Sequence, residues 1–250
     1  MNDTHKHPCN DVMLAIPVYN ERETLNAVLD QVAKYPVAVV ALDDGSTDGS
    51  REILGQRRDV CAISHRQNCG YGCTLQRAFH FALGCGFEWV ITMDCDLQHE
   101  PAHIPDFLAA IRENDADIIS GSRYLLPADE AQVPPERRTI NTQVTRMINQ
   151  VLSLDLTDAF CGFKAYRMAA IQTLRLSESG YAFPLEFWVQ AAAHRLRIRE
   201  IPVELIYVDP NRSFGLQLDD AAHRLAHYKQ VFLHALRAAG LAQNVNVESV

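Results

Sequence analysis

From residue 12 to residue 121 the chain alternates short apolar runs with segments whose apolar residues recur at helical spacing, and few architectures accept that pattern. Val12 to Val18, Val37 to Leu42, Val60 to Ser64, Trp89 to Met93 and Asp117 to Gly121 read as strands. Between them, Leu25, Val28, Leu29 and Val32 predict a helix that Tyr19-Asn20-Glu21 opens, with Asn20 as its N-cap, and that runs to about Tyr35. Further helices are expected over roughly Gly49 to Gln56, Thr74 to Leu83 and Pro101 to Glu113. Strand and helix alternating over about 120 residues imply an α/β fold, a mostly parallel sheet covered by helices on both faces. In such sheets ligands bind beyond the carboxyl ends of the strands.

The second half has another texture. Pro127 to Pro135 reads as a loop, Glu136 to about Leu154 as a helix and Asp158 to Arg167 as a glycine-containing connection. A helix near Leu185 to His194, a strand near Arg199 to Val208 and a final helix from about Asp219 to Ala238 complete the chain. With 250 residues, 48% of them apolar, one domain over 12–240 is expected between short tails, 1–11 and 241–250. Within it, 12–124 forms the ligand-binding half and 125–240 an elaboration of the same domain. The polar opening, with no signal-peptide pattern, and the absence of any apolar run near the roughly 18 residues of a membrane span predict a cytoplasmic protein. The final helix sets Leu225, Tyr228, Phe232, Leu236 and Ala239 on one side and Arg224, Lys229 and Arg237 on others. Such a helix can pack on a core or lie peripherally on an anionic membrane face, and both remain open. Seven cysteines without a Cys-x-x-Cys pair fit reduced thiols, and a net charge of −8 argues against nucleic acid as the main partner.

Three acidic clusters fall where predicted strands end: Glu21 after the first, Asp43 and Asp44 after the second, Asp94 and Asp96 after the fourth. A strand sends alternate side chains to one side, so Asp94 and Asp96 converge and repel unless a cation neutralises them. Hard oxygen ligands suit magnesium or manganese, which commonly bridges to phosphates. A nucleoside diphosphate fits this edge, with carboxylates holding ribose hydroxyls and base edges. Gly45, Gly70 and Gly72 stand where backbone must turn sharply or approach a ligand closely. Gly70-Tyr71-Gly72 is not a dinucleotide fingerprint, and no phosphate-cradling glycine–lysine loop is present.

Pro17-Val18-Tyr19-Asn20-Glu21, Asp43-Asp44-Gly45-Ser46-Thr47-Asp48, Asn68-Cys69-Gly70-Tyr71-Gly72, Asp94-Cys95-Asp96-Leu97-Gln98-His99 and Gly121-Ser122-Arg123-Tyr124 together resemble the family 2 glycosyltransferases. The resemblance is strongest to the dolichol-phosphate mannosyltransferase-like branch, and the stretch from Asp158 to Gly162-Phe163-Lys164 adds to it. It implies a single GT-A domain that moves a mannose- or glucose-type sugar from a GDP- or UDP-linked donor to a polyprenyl or dolichyl phosphate. It implies further that Pro17, Tyr19, Glu21, Asp43, Asp44, Gly70 and Asp94 surround the nucleotide sugar. Asp94, Asp96 and Gln98 would approach the cation, Asp96 and Gln98 as direct ligands. Arg123 would receive the acceptor phosphate, with Arg137 or Arg138 as a second contact and Arg212 on a donor or acceptor phosphate. The run Arg212-Ser213-Phe214-Gly215-Leu216-Gln217 keeps the arginine and glycine of the branch's Arg-x-x-Gly-x-Ser-Lys and lacks its Ser-Lys.

A phosphate monoester is already ionised near neutral pH, so a polyprenyl phosphate needs orientation rather than a general base. Asp96 and Arg123 are therefore the residues expected to carry catalysis, and a single direct displacement, inverting as the family implies, is favoured. Glu186, inside the apolar Phe183-Pro184-Leu185-Glu186-Phe187-Trp188, is a candidate base, a sugar-binding group or a buried structural carboxylate. A non-lipid hydroxyl acceptor such as a cell-surface glycan, and a non-catalytic nucleotide-sugar-binding protein, are the competing readings. A nucleotidyltransferase would want a basic glycine-rich loop after the first strand, which Pro17 to Glu21 does not offer. Oligomeric state has no signature in the sequence.

Overall fold

The computed structural model describes residues 11–97, 100–125, 135–204, 206 and 220–242, with 135–137 as backbone only. Seven strands form one sheet: β1 (Val12–Val18), β2 (Ala38–Asp43), β3 (Cys61–Ser64), β4 (Trp89–Thr92), β5 (Ile118–Ser122), β6 (Lys164–Arg167) and β7 (Ile198–Pro202). The helices are α1 (Leu25–Val32), α2 (Ser50–Gln56), α3 (Tyr71–Cys85), α4 (Ile104–Glu113), α5 (Pro135–Leu152), α6 (Met168–Ile171), α7 (Phe183–Ala193) and α8 (Ala221–Ala238). The order is β3-β2-β1-β4-β6-β5-β7, so the second half completes the sheet of the first.

Burial explains the strand sequences. β1 and β4 lie inside the sheet, covered on both faces, and read as continuous apolar runs, VMLAIPV and WVIT. Their alternate residues divide between two cores. Met13, Ala15 and Val90 pack with Leu75 and Phe79 of α3, Trp188 of α7 and Phe232 of α8. Leu14, Ile16 and Ile91 pack on the other face with Leu25 and Leu29 of α1 and Phe107 of α4. β3, at the sheet edge, is four residues long and mostly exposed.

Four expectations need correction. The chain between Tyr19 and Thr24 is not helical: Thr24 is the N-cap of α1, and Asn20, at φ +56°, accepts through its side-chain oxygen from Thr47 N (2.9 Å). A local cap was outcompeted by a contact 27 residues away. α3 starts at Tyr71, three residues before the expected Thr74. The 158–167 connection contains β6, antiparallel to both β4 and β5, a four-residue strand too short and too charged at its ends to show a period. β7 is observed over Ile198–Pro202, and the expected continuation at 205 and 207–208 lies outside the described residues, as do 1–10 and 243–250.

On α8 the apolar stripe of Tyr228, Phe232, Ala235 and Leu236 is buried in the core, and α8 packs on α7. Arg224 is buried with it, not on the polar side as expected. The stripe is therefore not a surface left to meet a bilayer. No helix among the described residues is long and apolar enough to cross a membrane.

Candidate active site at the carboxyl edge of the sheet

The loops after β1 and β2 are laced together. Asp44 N donates to Val18 O (2.8 Å), Asn20 N to Ser46 Oγ (3.0 Å), Glu21 N to Ser50 Oγ (3.0 Å) and Arg22 N to Asp48 Oδ2 (2.9 Å). The Asp43-Asp44-Gly45-Ser46-Thr47-Asp48 run thus sets where Tyr19 and Glu21 stand, Tyr19 exposed and Pro17 and Glu21 half-buried. Asp43 itself is buried and faces inward, accepting from Ser46 N (2.9 Å) and from Arg51 Nε (2.7 Å). Burial would push its carboxyl up, but the Ser46 and Arg51 contacts hold it below the usual value.

Asp44 turns the other way. Oδ1 accepts from Cys69 N (2.8 Å) and faces His65 Nδ1 (2.8 Å), and Oδ2 accepts from Gly70 N (2.9 Å). The loop it holds presses on a second one: Gly70, at φ +98°, would carry a Cβ only 2.4 Å from Ser179 O. At Gly70 the close approach is therefore to the protein's own backbone rather than to a ligand. Ser177 and Glu178 of that second loop are fixed by Glu186, whose carboxylate accepts from Ser177 N (2.8 Å), Ser177 Oγ (2.6 Å) and Glu178 N (2.7 Å). Of the readings open for Glu186, the buried structural carboxylate matches these contacts.

β4 ends at Thr92, so Asp94 and Asp96 stand in the turn beyond it rather than in the strand, half-buried on either side of buried Cys95. Burial pushes the Cys95 thiol far up, and the charges of Glu21, Asp96 and Asp94 add to the shift. Two contacts fix Asp94. The Tyr71 phenol donates to it, with burial and then the Asp94 charge raising the phenol well above its ordinary value. Behind it lies Gly162, where a Cβ would come within 2.3 Å of Asp94 Oδ2. Antiparallel β6 brings Gly162 there, pairing Lys164 with Thr92, while Thr92 Oγ1 donates to Gly162 O (2.7 Å). Gln98 and His99 lie outside the described residues.

Arg123, just past β5, makes a fork to buried Asp158: Nε to Oδ2 at 2.6 Å and Nη2 to Oδ1 at 2.9 Å. Burial would raise the Asp158 carboxyl, but Arg123, then Lys164 and Asn141, hold it down at about 2. Lys164 is buried too, bonded to Cys161 O and 5.4 Å from the Trp188 ring centre; burial lowers its ammonium pKa. Arg138 is half-buried on α5, Arg137 lies on the same helix with its side chain outside the described residues, and Arg212 lies outside them altogether.

The structure thus sets Glu21 and the Asp94–Asp96 turn at the ends of the adjacent parallel strands β1 and β4 and gives Asp43, Asp44 and Glu186 loop-holding contacts. Sequence reasoning assigned no role to Tyr71, Asp158, Gly162 or Lys164. Their signal was in the Gly70-Tyr71-Gly72 run and in Asp158 to Lys164, quoted for resemblance and not read for geometry.

The glycosyl transferase family 2 model matches residues 13–175. The undecaprenyl-phosphate mannosyltransferase of Micrococcus luteus is 30% identical over 206 residues, covering 78% of this chain and 83% of that protein. The polyprenol monophosphomannose synthase of Mycolicibacterium smegmatis is 28% identical over 207 residues, covering 78% and 77%. In structure, the chain is similar to glucosyl-3-phosphoglycerate synthase of Mycobacterium tuberculosis in complex with UDP, at TM-score 0.70 and 19% identity over 92% of this chain and 80% of that one. The same enzyme with manganese, UDP and phosphoglyceric acid superposes at TM-score 0.69 and 17% identity, covering 92% and 78%. With the family's model spanning 13–175, its GT-A-like sheet and an acidic cluster at the carboxyl edge, this chain belongs to glycosyl transferase family 2.

Proposed function

We propose that this glycosyltransferase is an inverting, cation-dependent enzyme that moves a mannose- or glucose-type sugar from a GDP- or UDP-linked donor to a polyprenyl phosphate. The observation that carries the reading is the placing of Glu21, Asp94 and Asp96 just past the carboxyl ends of the adjacent parallel strands β1 and β4. Hard-oxygen groups at this edge fit magnesium or manganese. When bound there, the cation neutralises charge growing on the departing diphosphate, a contribution of several kcal/mol. The remaining work falls to the chain. Tyr71 and Gly162 fix the rotamer of Asp94 from two sides, so its oxygens are aimed before donor arrives. Pro17, Tyr19, Glu21 and Asp44 border the space assigned to the nucleoside. Asp158 takes one edge of the Arg123 guanidinium and so orients the other N–H groups, which we assign to the acceptor phosphate.

Glu186 favours a phosphate over a hydroxyl acceptor. A hydroxyl nucleophile must lose a proton to a base, and Glu186 accepts three hydrogen bonds from Ser177 and Glu178 where a base would need an oxygen aimed at substrate. The relatives named for polyprenyl-linked mannose also span most of this chain. The test is to incubate the full chain with magnesium or manganese, GDP- and UDP-sugars and a polyprenyl phosphate, and to assign the anomeric configuration of any lipid-linked product. An inverted, lipid-linked sugar that requires the cation is expected. Transfer confined to a hydroxyl acceptor, retention of configuration, or donor binding without turnover overturns the proposal.

A further inference from the structure

Arg123 is held by more than its fork to Asp158. Parallel pairing sets β7 beside β5, with Glu200 opposite Ser120 and Pro202 opposite Ser122. From there the Glu200 carboxylate reaches the chain between α5 and β6: Oε2 accepts from Thr157 N (2.8 Å) and Thr157 Oγ1 (2.8 Å), and Oε1 from Asp158 N (3.0 Å). An ionised carboxylate only accepts, so the one hydroxyl proton of Thr157 is committed to Glu200. Ser122 Oγ, 2.5 Å from Thr157 Oγ1, is therefore the donor in that pair, and Tyr124 N donates in turn to Ser122 Oγ (3.2 Å). Ser122 and Tyr124 flank Arg123 in the chain. Glu200 thus ends a directed run of hydrogen bonds that ties the backbone on both sides of Arg123, and it also holds the backbone of Asp158, the partner of the guanidinium. Charge points the same way: Arg123 and Lys164 bring two positive charges and Asp158 one negative, and Glu200, whose charge reaches Lys164, completes the balance.

We propose that Glu200 is a positioning residue: by clamping Thr157 and Asp158 it fixes the Arg123 guanidinium in the orientation that receives the acceptor phosphate. The inference rests on the assignment of Arg123 to that phosphate. A guanidinium presents its N–H groups in one plane, so the edge taken by Asp158 sets where the remaining N–H groups point. When Asp158 moves, those groups move with it, and a misplacement of about 1 Å can cost about 10² in rate. Glu200 acts through Arg123 and Asp158, and its own oxygens are taken up by Thr157 and Asp158.

Glu200→Gln removes the charge and turns one of the two acceptor oxygens into a donor, so the side chain can no longer accept from Thr157 and Asp158 together. In the full chain with its cation, kcat/KM for polyprenyl phosphate is expected to fall about tenfold to a hundredfold, with KM for the nucleotide sugar unchanged. Thr157→Val, at an exposed position, breaks the hydroxyl run alone and should give a smaller loss of the same kind. In an Arg123→Ala background Glu200→Gln should cost nothing further, because the two act as one unit. The NMR signal of the Arg123 Nε–H, assigned by its loss in Arg123→Ala, reads the fork without turnover; in Glu200→Gln it is expected to shift and to exchange faster with water. An unchanged signal, equal losses for donor and acceptor, or a full loss in the Arg123→Ala background overturns the proposal. Full acceptor kcat/KM in Arg123→Ala would overturn the assignment of Arg123 and the proposal with it, and the Nε–H signal tells that failure from one of Glu200 itself.

Discussion

At the end of β2, Asp43 and Asp44 meet backbone N–H groups, a histidine and the half-exposed Arg51; beyond β5, buried Asp158 pairs with Arg123, 14% exposed, and feels the charge of buried Lys164. On the first side the charge is dispersed over several hydrogen bonds whose partners, Arg51 and the Cys69 loop, reach solvent, so water can replace a lost partner. On the second, Asp158 and Lys164 are out of solvent, and removing Asp158 leaves Lys164 charged in a low-dielectric interior beside a largely covered Arg123. Loops at the nucleotide side are thus held by ties spread over several acids, while the side assigned to the acceptor centres on one buried carboxylate that Arg123, Asn141 and Phe160 N all bond.

The largest effect is therefore expected from Asp158→Ala. Breaking a buried pair by removing one partner typically costs about 3–5 kcal/mol, and here it strands Arg123 and Lys164 together. Denaturant unfolding at neutral pH measures this, and a loss under about 1 kcal/mol would show that the network is solvated after all.

Asp96→Asn should act on rate and leave stability nearly unchanged, lowering turnover by about 10² or more, as loss of one group stabilising the transition state does. Formation of lipid-linked sugar alongside thermal unfolding separates the two effects. Full turnover in a folded variant would remove Asp96 from the chemistry.

The same contrast has a pH signature. The folded Asp158 carboxyl sits at about 2 against an ordinary 3.8, so its stabilisation is complete above the ordinary value and is lost as pH falls through the window from about 4 to 2. A difference of nearly two units corresponds to about 2 kcal/mol. Unfolding free energy followed from pH 5 to 2 should decline over that window, and Asp158→Asn should flatten the decline. An equally steep acid limb in the variant would assign the loss to other carboxyls, Asp43 among them.

How much of this was written in the sequence depends on how local the signal is. β1 and β4 were legible because burial on both faces leaves an unbroken apolar run, and the acidic clusters were legible because each sits at a strand end. β6 was not, since four residues show no period and its antiparallel partner lies about 70 residues away. With β6 unseen, Gly162 could not be placed behind Asp94, nor Lys164 beside Asp158. Asp43 and Asp44 illustrate the same boundary: residue type and spacing marked them as a pair, yet one faces Arg51 and the other the Cys69 loop, a division set by the pleat of β2 and by what packs on each side.

Gly162→Ala tests the geometry that β6 supplies. A methyl group there would stand 2.3 Å from Asp94 Oδ2, so Asp94 must rotate away from the position that Tyr71 and the glycine define. Overpacking of this kind costs about 1–3 kcal/mol, and where the carboxylate yields, the strain is relieved at the site. We expect turnover to fall about tenfold, equivalent to about 1.4 kcal/mol, with a smaller loss of stability. Wild-type turnover would mean that the Asp94 rotamer is not what the chemistry needs.

The smallest effect belongs to the nucleotide side and is the sharpest check on the contrast. Arg51 is 41% exposed and touches buried Asp43 through Nε at 2.7 Å. Its removal leaves Asp43 bonded to Ser46 and opens a path for water, so Arg51→Ala should cost no more than about 1 kcal/mol. Screening shortens to about 3 Å at 1 M salt from about 10 Å at 0.1 M, so the cost should shrink as salt is added. The Asp158→Ala cost should not, since Asp158 and Lys164 are buried and Arg123 is largely covered. Unfolding of both variants at low and high salt decides the point: an Arg51→Ala loss above about 3 kcal/mol that persists at 1 M salt would place Asp43 in the same electrostatic class as Asp158, and the two sides of the sheet edge would no longer differ in kind.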